Sequence, residues 1–375
     1  MKFRERSEGT SLVELLVAVA VTVVVVACTY AGFSAHQRLF AQEQQILELQ
    51  QNVRIALNTA AQVLQQAGYW RCVASQAVST GTRGVKRTLK DSKSLFHTHP
   101  LMGFNNITES SDPFPDGQTQ EGTDILGYSF IDPAFHGRLS QDQNLPRDFL
   151  RLVKNKDTRG LKKGQIVFLT DCRHSALFQA TSVTLSGTEV MLEHDCGGLE
   201  PGNMTCCLRC DDGGSDCLHE SECGLPGTGF RAETSHLHPV KAGFFRVNRK
   251  GEFQWLEGGP DATGRYVFSR SRTLAENVED FQVEFGVNTS PVPNGDVDAW
   301  VSSDAMPQTA PGSGVKDWER VRAVRCHLLA RTKRFFKGYV DTTLYAFADR
   351  NATVTADGYR RFYMVKTIGI RNATP

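Results

Sequence analysis

Hydrophobic positions change their rhythm twice along this chain. From residue 15 to 35 they are nearly continuous: LLVAVAVTVVVVACTYAGFSA holds 21 residues without a charge. As a helix rising 1.5 Å per residue, this run spans roughly 32 Å, about one hydrocarbon core. Beyond it, Ile46, Leu49, Val53, Ala56, Leu57, Ala60, Val63, Leu64 and Ala67 recur every three or four residues. That spacing lays an apolar stripe along one helical face. No proline and only Gly32 interrupts residues 10–67. The pattern predicts a single helix over 10–67, roughly 87 Å long. Its first half is apolar all round, and its second half has one apolar face in need of a partner. Gly68 stands where a left-handed residue ends a helix.

After Gly68 the period falls to two. Short runs rich in Val, Ile, Phe and Tyr are separated by Gly, Pro, Asn and Asp. They predict strands at 123–130, 148–153, 165–170, 177–185, 189–193, 242–248, 252–256, 264–269, 280–287, 323–329, 339–347 and 362–370. A short helical turn is expected at 272–279. Residues 85–122, 195–239 and 288–315 read as loops or insertions, the second rich in Cys and Gly. The fold class is α+β: a long N-terminal helix followed by a mainly antiparallel β domain over 69–375. No fixed-period repeat appears. The histidine pairs His97/His99 and His236/His238 fall in expected loops and read as surface residues.

Composition narrows the function classes. The chain has 42 Lys+Arg against 41 Asp+Glu and a mean hydropathy of -0.32. A polytopic membrane protein, a basic nucleic-acid binder and a low-complexity chain are all excluded by these averages. Lys2, Arg4 and Arg6 outnumber Glu5 and Glu8 ahead of the apolar run, which places the N-terminus on the cytoplasmic side and exports the remainder. No nucleophile elbow, zinc-protease pair, phosphate-binding loop or dinucleotide fingerprint occurs, so no enzyme and no cofactor is expected.

Three readings compete for the N-terminus. A secretory signal would not continue as an amphipathic helix. A lipoprotein signal at Val25-Val26-Ala27-Cys28 would cut the helix in two. The third rests on Gly9-Thr10-Ser11-Leu12-Val13-Glu14-Leu15-Leu16, which resembles the class III signal of type IV prepilins and pseudopilins. That resemblance implies a leader over 1–9, cleavage by prepilin peptidase between Gly9 and Thr10, and N-methylation of Thr10. It also implies that Glu14 pairs with the N-terminal amine of a neighbouring subunit during assembly. Independently, a carboxylate within an apolar helix costs about 2.5–3.5 kcal/mol at the membrane centre and calls for a partner. Thr10 departs from the Phe usual in major pilins and leans toward a minor subunit.

Weaker likenesses extend inward. The stretches from Asn52 to Leu57, Gln65 to Tyr69, Leu274 to Gly286, Val321 to Arg331 and Ile370 to Asn372 are similar to PilW-like minor pilins, that from Leu274 to Gly286 also to J-type pseudopilins. The resemblance implies a type IV pilin fold and a PilW-like minor pilin that helps initiate pilus assembly at the tip. Implied partners are other minor and major pilins, the peptidase, an inner-membrane assembly platform and a tip adhesin, with the membrane as host before assembly and the pilus after. A J-like pseudopilin of type II secretion is the alternative, and a membrane-anchored periplasmic enzyme or binding module the third reading.

Ten cysteines occur. Six of them, Cys196, Cys206, Cys207, Cys210, Cys217 and Cys223, crowd one insertion. In an exported domain they favour a disulfide-stapled loop. A zinc cluster of Cys207, Cys210, Cys217 and Cys223 is the competing arrangement. Six cysteines allow 15 pairings, and the spacing selects none. The acidic run 211–216 lacks the ligand order of a calcium loop and reads as a solvated turn.

Overall fold

The computed structural model describes residues 11–80, 85–90, 95–114, 116–197, 199–209, 229–290, 294–310, 312–313, 315–354 and 356–372. Helix α1 runs over Leu12–Leu64, 53 residues or roughly 80 Å. It stops three residues earlier than its sequence pattern suggests. Gln66, Ala67 and Tyr69 donate to carbonyls three residues back, which tightens the chain into turns, and Gly68 then takes the left-handed φ of 74°. Glycine is required there twice over, because a Cβ would also stand 3.0 Å from Cβ of Pro100. Two short helices follow, α2 (Ser75–Thr80) and α3 (Leu95–Thr98).

The strands are β1 (Val85–Arg87), β2 (Leu101–Phe104), β3 (Ile125–Ile131), β4 (Gly137–Arg138), β5 (Leu150–Val153) and β6 (Ile166–Thr170). Next come β7 (Ser175–Gln179), β8 (Ser182–Ser186), β9 (Glu189–Glu193), β10 (His236–Val247), β11 (Phe253–Pro260) and β12 (Tyr266–Ala275). The last six are β13 (Val278–Val287), β14 (Ala299–Val301), β15 (Val321–Arg331), β16 (Leu344–Phe347), β17 (Arg350–Val354) and β18 (Arg361–Gly369). Among the described strands, every pairing is antiparallel except that of β1 with β7.

A nine-stranded sheet is organised around β10. Residues His236 to Pro239 pair with β6, whereas Gly243 to Val247 pair with β11. A second, four-stranded sheet has the order β14-β13-β15-β18, and β5-β9-β8 form a third. One large core joins the buried stripe of α1 to the four-stranded sheet and to Phe244, Phe245, Phe253 and Leu256 of the larger one. A second core, around Leu152, Leu169, Phe178 and Leu192, lies under the three-stranded sheet.

Several expectations are corrected. The single strand at 177–185 is two strands, because successive residues bond to different sheets: Ala180 N–H donates to Gln165 and Thr181 N–H to Glu193. The helical turn at 272–279 is instead a tight turn between strands of two different sheets. Strand β12 runs to Ala275, Asn277 takes a left-handed φ of 57°, and β13 starts at Val278. The expected loop at 85–122 contains β1, α3 and β2. The stretch 195–239 ends inside β10, where Pro239 is tolerated at the point where the strand changes partners. His97 and His238 are buried, and neither is a surface-loop residue.

Candidate functional site

Ser11 and Glu14 close the start of α1. Ser11 sits in extended backbone, its Oγ accepts from Glu14 N–H at 3.2 Å, and Glu14 Oε2 accepts from Ser11 N–H at 3.2 Å. This reciprocal capping box satisfies two of the helix's unpaired donors. Glu14 thus has a local role that the sequence spacing alone did not reveal. Gly9 and Thr10 lie outside the described residues.

Beyond the cap, the large apolar side chains from Leu12 to Val26 are 54–75% exposed, so nothing among the described residues covers them. The hydroxyls within this stretch need no water: Thr22 donates to Ala18 C=O at 2.7 Å and Thr29 to Val25 C=O at 2.9 Å. Length and composition make this helix a candidate membrane span. A contiguous apolar surface of this size marks a lipid or protein interface.

The second half of α1 is covered. Leu49, Val53, Ala56, Leu57, Ala60, Val63 and Leu64 are buried as their spacing predicts, while Ile46 is half-buried. They face β12, β15 and β18. Truncating one of the fully buried residues, such as Leu57, would leave a void costing about 2–5 kcal/mol. Polar contacts pin the seam at three levels. Arg334 N–H donates to Gln45 Oε1 at 3.3 Å, Lys366 Nζ to Asn58 Oδ1 at 2.5 Å, and Asn372 Nδ2 to the Gln66 and Ala67 carbonyls at 3.3 Å. The last of these adds a side-chain donor to carbonyls just past the helix end.

Arg361, the first residue of β18, is a hub that pattern reading did not find. Its guanidinium reaches Glu279 at 2.6 and 3.0 Å, Asp357 at 2.7 and 2.7 Å, and Asp341 at 3.1 Å. The Arg361 side chain is 1% exposed and that of Asp341 is 0% exposed. Hydrogen bonds to Asp357 and Glu279 hold the guanidinium pKa above its ordinary value, against the opposing effect of burial. Burial alone would raise the Asp341 carboxyl, but hydrogen bonds from Thr343, Arg361 and Tyr345 outweigh it and leave the pKa lowered. The cluster ties the excursion between β15 and β18 to the sheet that carries α1.

The cysteines divide three ways. Cys196 and Cys206 form a disulfide, and Cys207 is disulfide-bonded as well, which removes its thiolate from the competing zinc set. Cys210, Cys217 and Cys223 lie outside the described residues, as does the acidic run 211–216. Cys72 and Cys172, 100 residues apart, join the segment after α1 to the β6–β7 turn with Cα atoms 5.5 Å apart. A loop of that length gains about 4.7 kcal/mol from closure in the chain-entropy account. Cys326 is free and buried, and its burial pushes the thiol up to about 12. Non-reducing peptide mapping is expected to recover the 72–172 and 196–206 linked peptides. Cys326 should react with iodoacetamide only after denaturation. Rapid native labelling of Cys326, or unlinked Cys72, would contradict this arrangement.

Residues 259–372 match the family model described as Type IV Pilus-assembly protein W. Curated proteins give no match to the chain. Among solved structures the chain is similar to a type IV-like pilin from Thermus thermophilus, at 14% identity and a TM-score of 0.22, covering 36% of this chain and 70% of that one. The family match begins near the end of β11 and spans every strand from β12 to β18. It therefore includes the strands β12, β15 and β18 against which α1 packs.

Proposed function

From a chain that is PilW-like over residues 259–372 and hence related to the type IV pilus, we propose a minor pilin that is processed by prepilin peptidase and incorporated into the filament, where it helps initiate assembly at the tip. Its role is structural, not enzymatic. One observation carries the reading. A single helix is capped and uncovered along its apolar first half, and is fixed along its second half to PilW-like strands. A span that served only as an anchor would need no rigid continuation into the domain. A subunit that must pass from bilayer to helical bundle does need one, because the helix transmits the position of the domain to the packed core.

The sequence of events follows from the parts. The basic leader holds the N-terminus in the cytoplasm while the apolar run spans the bilayer. Cleavage after Gly9 frees an amine at Thr10, four residues from the Glu14 carboxylate. Glu14 then pairs with the amine of a neighbouring subunit, and the exposed apolar face exchanges lipid for other helices. Partners are therefore other pilins first, with the peptidase and the assembly platform acting beforehand.

The decisive measurement is the mature N-terminus by mass spectrometry of protein recovered from the native membrane. A start at Thr10, methylated, is expected, and Gly9→Leu should leave the full 375-residue chain uncut. A mature protein beginning at Met1, or at Cys28, would overturn the reading.

A further inference from the structure

A cavity of about 420 Å³ opens between α3, the loop at Phe114, and strands β10 and β12. It lies away from the features used above. Its aromatic walls are fixed by mutual packing: Phe244 stands 5.2 Å from Phe96, 5.0 Å from Phe114 and 4.8 Å from Phe268 between ring centroids. His97 meets the Tyr266 ring edge-on at 4.5 Å. A bulge builds the wall. The β11–β12 register slips between Glu257 and Gly259, where Phe268 and Ser269 of β12 stand opposite the single Gly258. A Cβ at Gly258 would lie 2.5 Å from the Tyr266 ring and 2.8 Å from that of Phe268. Glycine there lets both rings fold in, and bulges of this kind re-aim side chains beside binding sites.

Charge at the cavity cancels in pairs. Arg246 forks onto Asp116 at 2.9 and 2.7 Å, and Arg265 meets Glu200 at 2.8 Å. His97 is 2% exposed, and burial holds its imidazole neutral with a pKa lowered to about 3. Two polar atoms of lining residues, Arg246 Nε and His97 Nδ1, are buried without a hydrogen-bond partner. Such atoms are rare in folded proteins and ask for an explanation. The volume falls within the range of about 300–1,000 Å³ found for small-molecule sites.

We propose that this cavity binds a neutral, free small molecule of one or two rings, with an apolar body between Phe96, Phe114 and Phe268 and an oxygen directed at Arg246. An anion would meet the Asp116 and Glu200 carboxylates at the mouth, and a cation would meet Arg246 and Arg265. A purely apolar ring would leave Arg246 Nε and His97 Nδ1 without partners.

The test uses the full chain in detergent and saturation-transfer NMR with 4-hydroxybenzamide as the neutral probe. Its anionic counterpart, 4-hydroxybenzoate, and the variant S271W, which fills the cavity from an exposed position, complete the set. Saturable binding at or below about 1 mM is expected for the amide. A loss of about tenfold or more is expected both for the carboxylate and in S271W, with S269W as the second filled variant should S271W fail to fold. Absence of saturable binding, equal binding of the carboxylate, or affinity unchanged in the filled variant would overturn the proposal.

Discussion

Glu14→Gln is expected to cut incorporation into filaments at least about tenfold, the ratio that 1.4 kcal/mol represents, while the chain accumulates in the membrane at normal levels. The structure makes this substitution more informative than Glu14→Ala. Glu14 accepts from Ser11 N–H in a capping box, and a glutamine oxygen can do the same. The side-chain half of the box is therefore retained in Glu14→Gln and lost in Glu14→Ala, which keeps only the bond from its own N–H to Ser11 Oγ. What glutamine cannot supply is the negative charge. If Glu14 serves only to start the helix, Glu14→Gln will assemble like the wild type and Glu14→Ala alone will fail. If the carboxylate pairs with the amine of a neighbouring Thr10, the two variants will fail together. Immunoblots of sheared filaments, read beside twitching motility, separate the outcomes. A defect in protein secretion with motility intact would point instead to the J-like pseudopilin role.

Arg361→Met should destabilise the folded domain by about 3–5 kcal/mol, the range for removing one partner of a buried ion pair. Methionine fills much of the volume, so the loss is chiefly electrostatic. Asp341, with a fully buried side chain, keeps its hydrogen bonds from Thr343 and Tyr345 but loses its cation, and Glu279 and Asp357 are left near one another. The pH dependence has a definite sign. The folded-state pKa values of Asp341 and Asp357 are depressed below the usual carboxylate value of 3.8. Their contribution is therefore present at neutral pH and is lost as pH falls below about 4 toward the folded values. Denaturant melts at pH 7 and pH 3 should show a large gap between wild type and Arg361→Met at the higher pH and a smaller one at the lower. A gap of equal size at both would mean that packing, rather than charge, dominates this site. Arg361→Lys should recover only part of the loss, since an ammonium cannot fork onto Glu279 and Asp357 together.

Regions of the chain differ in how much they reveal before folding. The boundary between the all-round apolar run and the one-faced stripe was legible, because helical periodicity is a property of neighbours three and four residues apart. Even there, the last turn was decided elsewhere: Gly68 N–H donates to Ser129, so the domain draws the chain off the helix axis. Strand positions were mostly legible from alternation, and the errors have physical causes. A continuous alternating run at 177–185 was divided because its two halves belong to different sheets. Residues 195–239 read as one loop, yet β10 begins at His236 and accepts Pro239 where its partner changes.

The candidate site divides the same way. Glu14 could be named from its place in an apolar helix, since an isolated carboxylate there is costly whatever surrounds it. Its cap with Ser11 is also local, three residues away, and the serine was a signal for it. The Cys196–Cys206 link lies within the predicted cluster, although spacing could not choose among the pairings. In contrast, Cys72 and Cys172 come together across 100 residues, and Arg361 gathers carboxylates from β13, from the excursion at 341 and from 357. No periodicity encodes such meetings. By itself the sequence determined a helix that needs lipid or other helices along one half and a sheet along the other, because apolar surface must leave water wherever it falls. The tertiary structure alone decided which strands cover it, which charges lock them, and that Gly258 opens a neutral aromatic cavity, because those depend on segments far apart in the chain arriving at one place.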